Sequence, residues 1–201
     1  MTPPDSREGE DPRARLLAAV IAYGESHGLS NVSLRELARA IGTSHRMLLY
    51  HFGSRQGLLV AVVQAVEGAQ RDYLSDLATS DVEPLEALRD MWDRVADPAL
   101  WPQERLFFEL YGQALQGRPG AAAMLPGVID DWLVPGAEHW AGHGSEPSAA
   151  RAAARLGLAV IRGLLLDLVA TEDRSGVDEA MARYLQLLAR ERPPSHRSPV
   201  T

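Results

Sequence analysis

Helix-starting residues punctuate the chain at short intervals, and between them apolar side chains recur every three or four positions, a spacing that suits α-helices and not strands. Asp11-Pro12 pairs a capping carboxylate with a first-turn proline. Leu16, Leu17, Val20 and Ile21 follow at helical spacing, and Gly28 is a stop signal. Ser33-Leu-Arg-Glu36 reads as a capping box, in which Ser33 accepts from the Glu36 amide and Glu36 reaches back. The helix it opens sets Leu34, Leu37, Ala38 and Ile41 on one face and meets Gly42. Ser44 caps a third helix running to about Phe52. Gly53 ends that helix, and Ser54 opens a long fourth one carrying Leu58, Leu59, Val62, Val63, Val66, Tyr73, Leu74 and Leu77. No stretch alternates at period two for long enough to make a strand, so the predicted fold class is all-α.

Pro84 starts a fifth helix with Leu85, Leu88, Trp92 and Val95, and a sixth bears Leu106, Phe107, Leu110, Tyr111 and Ala114. From Ala121 to Gly144 the pattern is helical, but Pro126 and Pro135 must interrupt or kink it. Two strong helices close the chain, one from Pro147 to about Thr171 and one from about Val177, after a Ser175 cap, to Glu191. About nine helices are expected in all. The organisation that follows is a disordered arm (1–11), a small three-helix domain (12–54), a larger helical domain (55–192) and a disordered tail (193–201).

With 201 residues, 46% hydrophobic and 23% charged, the chain can bury a sizeable core. No window holds the roughly 18 uninterrupted apolar residues of a membrane span. The polar start MTPPDSREGEDP does not read as a secretory signal, and the absence of Cys excludes disulfides and thiolate metal sites, which points to the cytoplasm. The formal net charge of −7 is unevenly spread: Pro12–Leu59 carries six Arg against two acids, whereas the chain from Val60 on carries 13 Arg against 21. A basic head therefore precedes an acidic body, a distribution that suits a polyanionic partner for the head alone.

Two short helices joined by Ile41-Gly-Thr43 have the form of a helix-turn-helix, with Ala38 small where the helices cross. In the second, Met47 or Leu48, with Phe52, can pack inward while His45, Arg46, Leu49 and Tyr50 look outward. Basic and hydrogen-bonding groups on such a face fit the major groove of DNA, and the helix N-termini at Ser44 and Ser54 attract phosphate. An ordinary helical hairpin inside a bundle is the competing reading of the same pattern, because short capped hairpins are common.

These residues resemble the DNA-binding domain of TetR-family transcriptional regulators. The resemblance runs through Arg15-Leu-Leu-Ala-Ala, the Gly28 turn, Ser33-Leu-Arg-Glu-Leu-Ala38, Ile41-Gly-Thr-Ser44, Leu48-Leu-Tyr-His-Phe52, Gly53-Ser-Arg55 and Leu58-Leu59. It implies three small helices on DNA, a larger helical domain that binds a ligand and dimerises, and phosphate contacts from His51 and Arg55. Many relatives carry Tyr directly after the Leu of the third helix; here that position is Leu49, and Tyr50 lies about 100° further round. The DNA-facing set expected from residues and resemblance together is Ser33, Arg35, Thr43, Ser44, His45, Arg46, Leu49, Tyr50, His51 and Arg55, with base reading assigned mainly to His45 and Arg46.

All four Trp lie beyond Val60. Most are expected in the core, but an aromatic helical domain broken by Pro can also enclose a small hydrophobic ligand, with Trp92, Phe108, Tyr111 and Trp132 as lining candidates. His139 and His143 stand one turn apart, but Trp140 occupies the place of a zinc-peptidase Glu, so they read as polar-face or loop histidines and no metal or cofactor is expected. Asp130-Asp131 reads as a solvated pair, and no catalytic constellation is present. The wide apolar stripe of the penultimate helix, with Gly157 and Gly163, suits a two-fold interface built with the last helix. The predicted function is a dimeric, ligand-responsive repressor on an inverted-repeat operator. The competing reading is a helical-bundle carrier or enzyme with a purely structural N-terminal hairpin.

Overall fold

The computed structural model describes residues 11–191; of the arm expected at 1–11 all but Asp11 lies outside that range, as does the tail expected at 193–201. The described residues form nine α-helices and no strand: α1 (Pro12–His27), α2 (Leu34–Ala40), α3 (His45–Phe52), α4 (Arg55–Ala78), α5 (Pro84–Val95), α6 (Trp101–Leu115), α7 (Asp130–Gly142), α8 (Pro147–Thr171) and α9 (Arg174–Glu191). No helix among them is long and apolar enough to cross a membrane.

Local chemistry sets most boundaries where the caps place them. The Asp11 carboxylate accepts from the Arg13 amide at 3.0 Å, and Ser44 Oγ accepts from the Met47 amide at 3.1 Å. The Ser33–Glu36 capping box is complete in both directions, at 3.3 and 2.9 Å. One boundary differs from expectation. α9 begins at Arg174, ahead of Val177, because Asp173 rather than Ser175 supplies the cap: its carboxylate accepts from the Gly176 amide at 3.0 Å. Pro126 falls outside regular helix, whereas α7 runs through Pro135.

The described residues group into two compact units, one comprising 11–69 with Ala99–Val128, the other Gln70–Pro98 with 129–191. In the first, α1 packs on α6 and α2 on α3, around a core that includes Leu37, Leu48, Leu58, Val62, Leu106 and Leu110. Leu48 is completely buried, the kind of site where truncation to Ala costs about 2–5 kcal/mol. In the second, α8 packs against α5, α7 and α9, and α5 also meets α9. A Cβ on Gly157 of α8 would lie 3.0 Å from Leu88 Cδ2 of α5, so a methyl there would press on that side chain.

Trp92, Trp132 and Trp140 are buried and Trp101 half-buried, as expected of core aromatics. Trp92 Nε1 donates to Asp178 Oδ1 at 2.7 Å. The same carboxylate takes two bonds from Arg174 Nε at 2.8 Å, while Arg174 Nη1 donates to the Ala96 carbonyl at 2.8 Å. The buried indole, through Asp178, and the Arg174 guanidinium, through the Ala96 carbonyl that caps α5, thus join α5 to α9.

Candidate nucleic-acid interface

The turn between α2 and α3 is closed by backbone bonds from the Ile41 amide to the Leu37 carbonyl (3.0 Å) and from the Thr43 amide to the Ala38 carbonyl (2.9 Å). Gly42 sits at φ 71°, a left-handed conformation that a β-carbon would strain, and this fixes the angle at which α3 leaves. Leu48 and Phe52 anchor α3 to the core, with the Arg13 guanidinium 5.1 Å from the Phe52 ring centroid. Of the two residues that could have turned inward, Leu48 does so and Met47 stays 40% exposed.

With Leu48 pointing to the core, Arg46 and Tyr50 lie two residues to either side, each roughly 160° round the helix from it. Arg46 is exposed and Tyr50 is 79% exposed, so the outermost ridge of α3 is a cation beside a phenol. Leu49 and Met47 flank that ridge, both exposed. Ser33, Arg35 and Ser44 are exposed as well, whereas Thr43, His45 and His51 are half-buried. His51 Nε2 is buried without a hydrogen-bond partner. Arg55 departs from its expected surroundings: Nε donates to the Val32 carbonyl at 3.0 Å, and Nη2 donates to the carbonyls of Leu29 (2.9 Å) and Ser30 (2.6 Å). The Glu36 carboxyl is held below its usual range by its hydrogen bonds from Ser33, with Arg39 adding to the effect.

The aromatic candidates divide between the two units, Phe108 and Tyr111 in the first and Trp92 and Trp132 in the second. Phe107 meets Phe108 edge-on (ring centroids 5.2 Å apart) and Tyr111 at a tilt (5.5 Å). One residue of α6 escaped the sequence reading. Gln103 is buried, and neither its amide nitrogen nor its oxygen has a hydrogen-bond partner. The signal was available, because Gln103, Phe107 and Tyr111 follow at steps of four and share one side of α6. In the second unit His139 is buried at 3% exposure, contrary to the polar-face reading, since it stands seven residues beyond the buried Trp132 and shares its stripe. Burial, then the neighbouring charge of His143, lowers its pKa, against smaller opposing effects of the Ala78 and Val82 backbone and Glu83. His143 Nδ1 lies 2.9 Å from the His139 carbonyl oxygen, and no group of three or more potential metal ligands occurs among the described residues. Asp130 is exposed and pairs with Arg151 at 3.2 Å.

A capped three-helix head with a cationic, aromatic ridge on its last helix, joined to a helical body, defines the helix-turn-helix class of DNA-binding regulators. Residues 16–62 match the family model of bacterial regulatory proteins, tetR family. These residues carry the TetR-family DNA-binding helix-turn-helix, and the chain around them has the fold of solved TetR-type regulators. A TetR transcriptional regulator from Legionella pneumophila aligns with TM-score 0.67 and 17% identity, over 90% of this chain and 98% of that one. A TetR-family regulator from a Rhodococcus species aligns with TM-score 0.65 and 20% identity, over 89% and 96%. A transcriptional regulator from Saccharomonospora viridis, solved in complex with choline, aligns with TM-score 0.66 and 19% identity, over 89% and 95%. No curated protein sequence matches the chain.

Proposed function

We propose that this DNA-binding regulator is a homodimeric repressor, working in the cytoplasm, that leaves an inverted-repeat operator when its helical body takes up a small molecule. The observation that carries the DNA half is the ridge of α3. A 79% exposed Tyr50 beside an exposed Arg46, on a helix only eight residues long, has no use in packing and suits base edges and phosphates. In this reading His45, Arg46, Leu49 and Tyr50 enter the major groove, and Ser33, Arg35, Thr43, Ser44 and His51 hold the backbone, with the N-termini of α2 and α3 aimed at phosphate. The functional boundary falls near residues 54 and 55, with residues 12–54 on DNA and 55–192 binding ligand and partner.

Support for the dimer comes from α8. Ala152, Leu156, Ala159, Gly163, Leu166 and Ala170 are all exposed and recur at alternating steps of four and three, the spacing of a helix-packing seam. Leu156 and Leu166 are each about half exposed, 49% and 50%, and small residues between them allow close approach of a second copy, with α9 alongside. For the ligand, Phe108 and Tyr111 supply apolar surface in one unit, and Trp92 and Trp132 in the other. Gln103 adds an unsatisfied donor and acceptor on the α6 side that Tyr111 shares, which favours an apolar molecule carrying at least one hydrogen-bonding group. A regulator of the same fold was solved in complex with choline, which supports a small-molecule ligand for this chain as well. No catalytic role is assigned.

Selection of bound sequences from a random duplex pool tests the reading. The expected result is an inverted repeat whose half-site centres lie about one helical turn or slightly more apart. Enrichment of a single unrepeated half-site would remove the dimer, and enrichment of nothing would remove the DNA-binding reading.

A further inference from the structure

Arg55 opens α4, yet its guanidinium points back into the protein, to carbonyls of the loop joining α1 to α2. The Leu29, Ser30 and Val32 carbonyls lie between the two helices, outside either helical ladder, and carbonyls so placed require donors. The guanidinium fork meets three of them at once with Nε and Nη2, in charge-assisted bonds of 2.6–3.0 Å. The same loop is gripped from the other side. Ser30 Oγ donates to Glu109 Oε2 of α6 at 3.2 Å, and Gln113 Nε2 donates to Glu109 Oε1 at 3.1 Å. Gln56, next to Arg55, closes the circuit by donating from Nε2 to Gln113 Oε1 at 3.0 Å. The ring therefore runs from α4 through the loop to α6 and back to α4. Val32, the last carbonyl held, immediately precedes Ser33, the cap of α2.

We infer that Arg55 is a positioning residue for DNA binding, fixing the N-terminus of α2 through this ring, and that it does not neutralise a DNA phosphate. The inference rests on the DNA-binding reading but is separable from it. A phosphate ligand works through its charge, so Lys substitutes for Arg and removal lowers the salt dependence. A positioning fork works through its geometry: an ammonium cannot reproduce two nitrogens set on three carbonyls, and the counterion count on DNA stays the same.

The test measures binding of the full-length protein to the duplex it enriches, across a salt series, for wild type, Arg55→Ala, Arg55→Lys and Glu109→Ala. Both Arg55 variants are expected to bind roughly tenfold more weakly at every salt concentration, with the wild-type slope of log K against log salt. Recovery of wild-type affinity by Arg55→Lys, or a slope lowered by about one per half-site in Arg55→Ala, overturns the inference. Glu109→Ala gives an opposite-signed check. Removing an acid from a DNA-binding unit strengthens binding if bulk charge governs, whereas loss of the ring weakens it; unchanged or tighter binding counts against the ring. Amide hydrogen exchange over residues 29–33 reads the same ring without DNA and is expected to quicken in Arg55→Lys as well as in Arg55→Ala. Unchanged exchange in Arg55→Lys overturns the inference even if Arg55→Ala fails to fold, and a wild type that enriches no duplex counts against DNA binding alone.

Discussion

Asp178→Ala should destabilise the protein by about 2–3 kcal/mol, a value that follows from what the carboxylate holds. Trp92 is 2% exposed and its Nε1 donates to Asp178 over 2.7 Å, so truncation leaves a buried indole N–H unsatisfied. Stranding such a donor costs roughly 1–3 kcal/mol. The Arg174 bond to the same carboxylate adds less, because the two side chains are 34% and 43% exposed and water screens them. A pair of that exposure contributes about 0.2–1 kcal/mol, and Arg174 keeps its bond to the Ala96 carbonyl. Asp178→Asn retains an oxygen for the indole and should lose only about 1 kcal/mol or less. Urea unfolding followed by far-UV circular dichroism, at one protein concentration, measures both variants, and a cycle with Trp92→Phe isolates the pair. In the Trp92→Phe background no N–H remains to strand, so Asp178→Ala should cost at least about 1 kcal/mol less there. An Asp178→Ala protein within about 0.5 kcal/mol of wild type, or Asn as damaging as Ala, would refute the reasoning.

Other consequences follow from single features. Leu166→Glu, on the exposed α8 seam, should convert a dimer to monomer in sedimentation experiments and lower operator affinity, while helical content is retained. Arg46→Ala should relax preference at one or two base pairs and cost about 1–3 kcal/mol per half-site, seen as a changed selection profile rather than a uniform loss. His139 has its pKa lowered in the folded state, so the unfolded chain binds its proton first as pH falls. Its contribution to stability is intact above the ordinary histidine value of about 6.5 and is lost as pH falls below it toward the folded pKa. His139→Phe should flatten the pH dependence of the urea midpoint in that window. A small molecule that releases operator should change tryptophan fluorescence over the same concentration range, because every Trp lies outside the DNA-binding head, and Trp92→Phe or Trp132→Phe should reduce the signal. Linkage requires DNA to weaken the binding of that molecule by the same factor.

The amino-acid sequence by itself determined the features whose causes lie within a few residues. Helix starts at Asp11, Ser33 and Ser44, the glycine stops and the turn at Gly42 all depend on bonds closed within four or five positions, and they stand where caps and spacing put them. The two-faced nature of α3 was legible for the same reason, as a consequence of helical period. Tertiary structure decided what depends on partners far along the chain. Whether Met47 or Leu48 turned inward was open on the helix alone, and the core around α3 selected Leu48. Arg55 has long, freely rotating reach, and only the folded loop 23–26 residues earlier directed it inward. His139 and Gln103 look polar in sequence but share stripes with Trp132 and Phe107, so burial of those aromatics takes them inside. The bond between Trp92 and Asp178 spans 86 residues, beyond any local rule. Period and capping are properties of neighbours in the chain, whereas burial and hydrogen-bond partnership are settled by whichever surfaces the packed helices bring together.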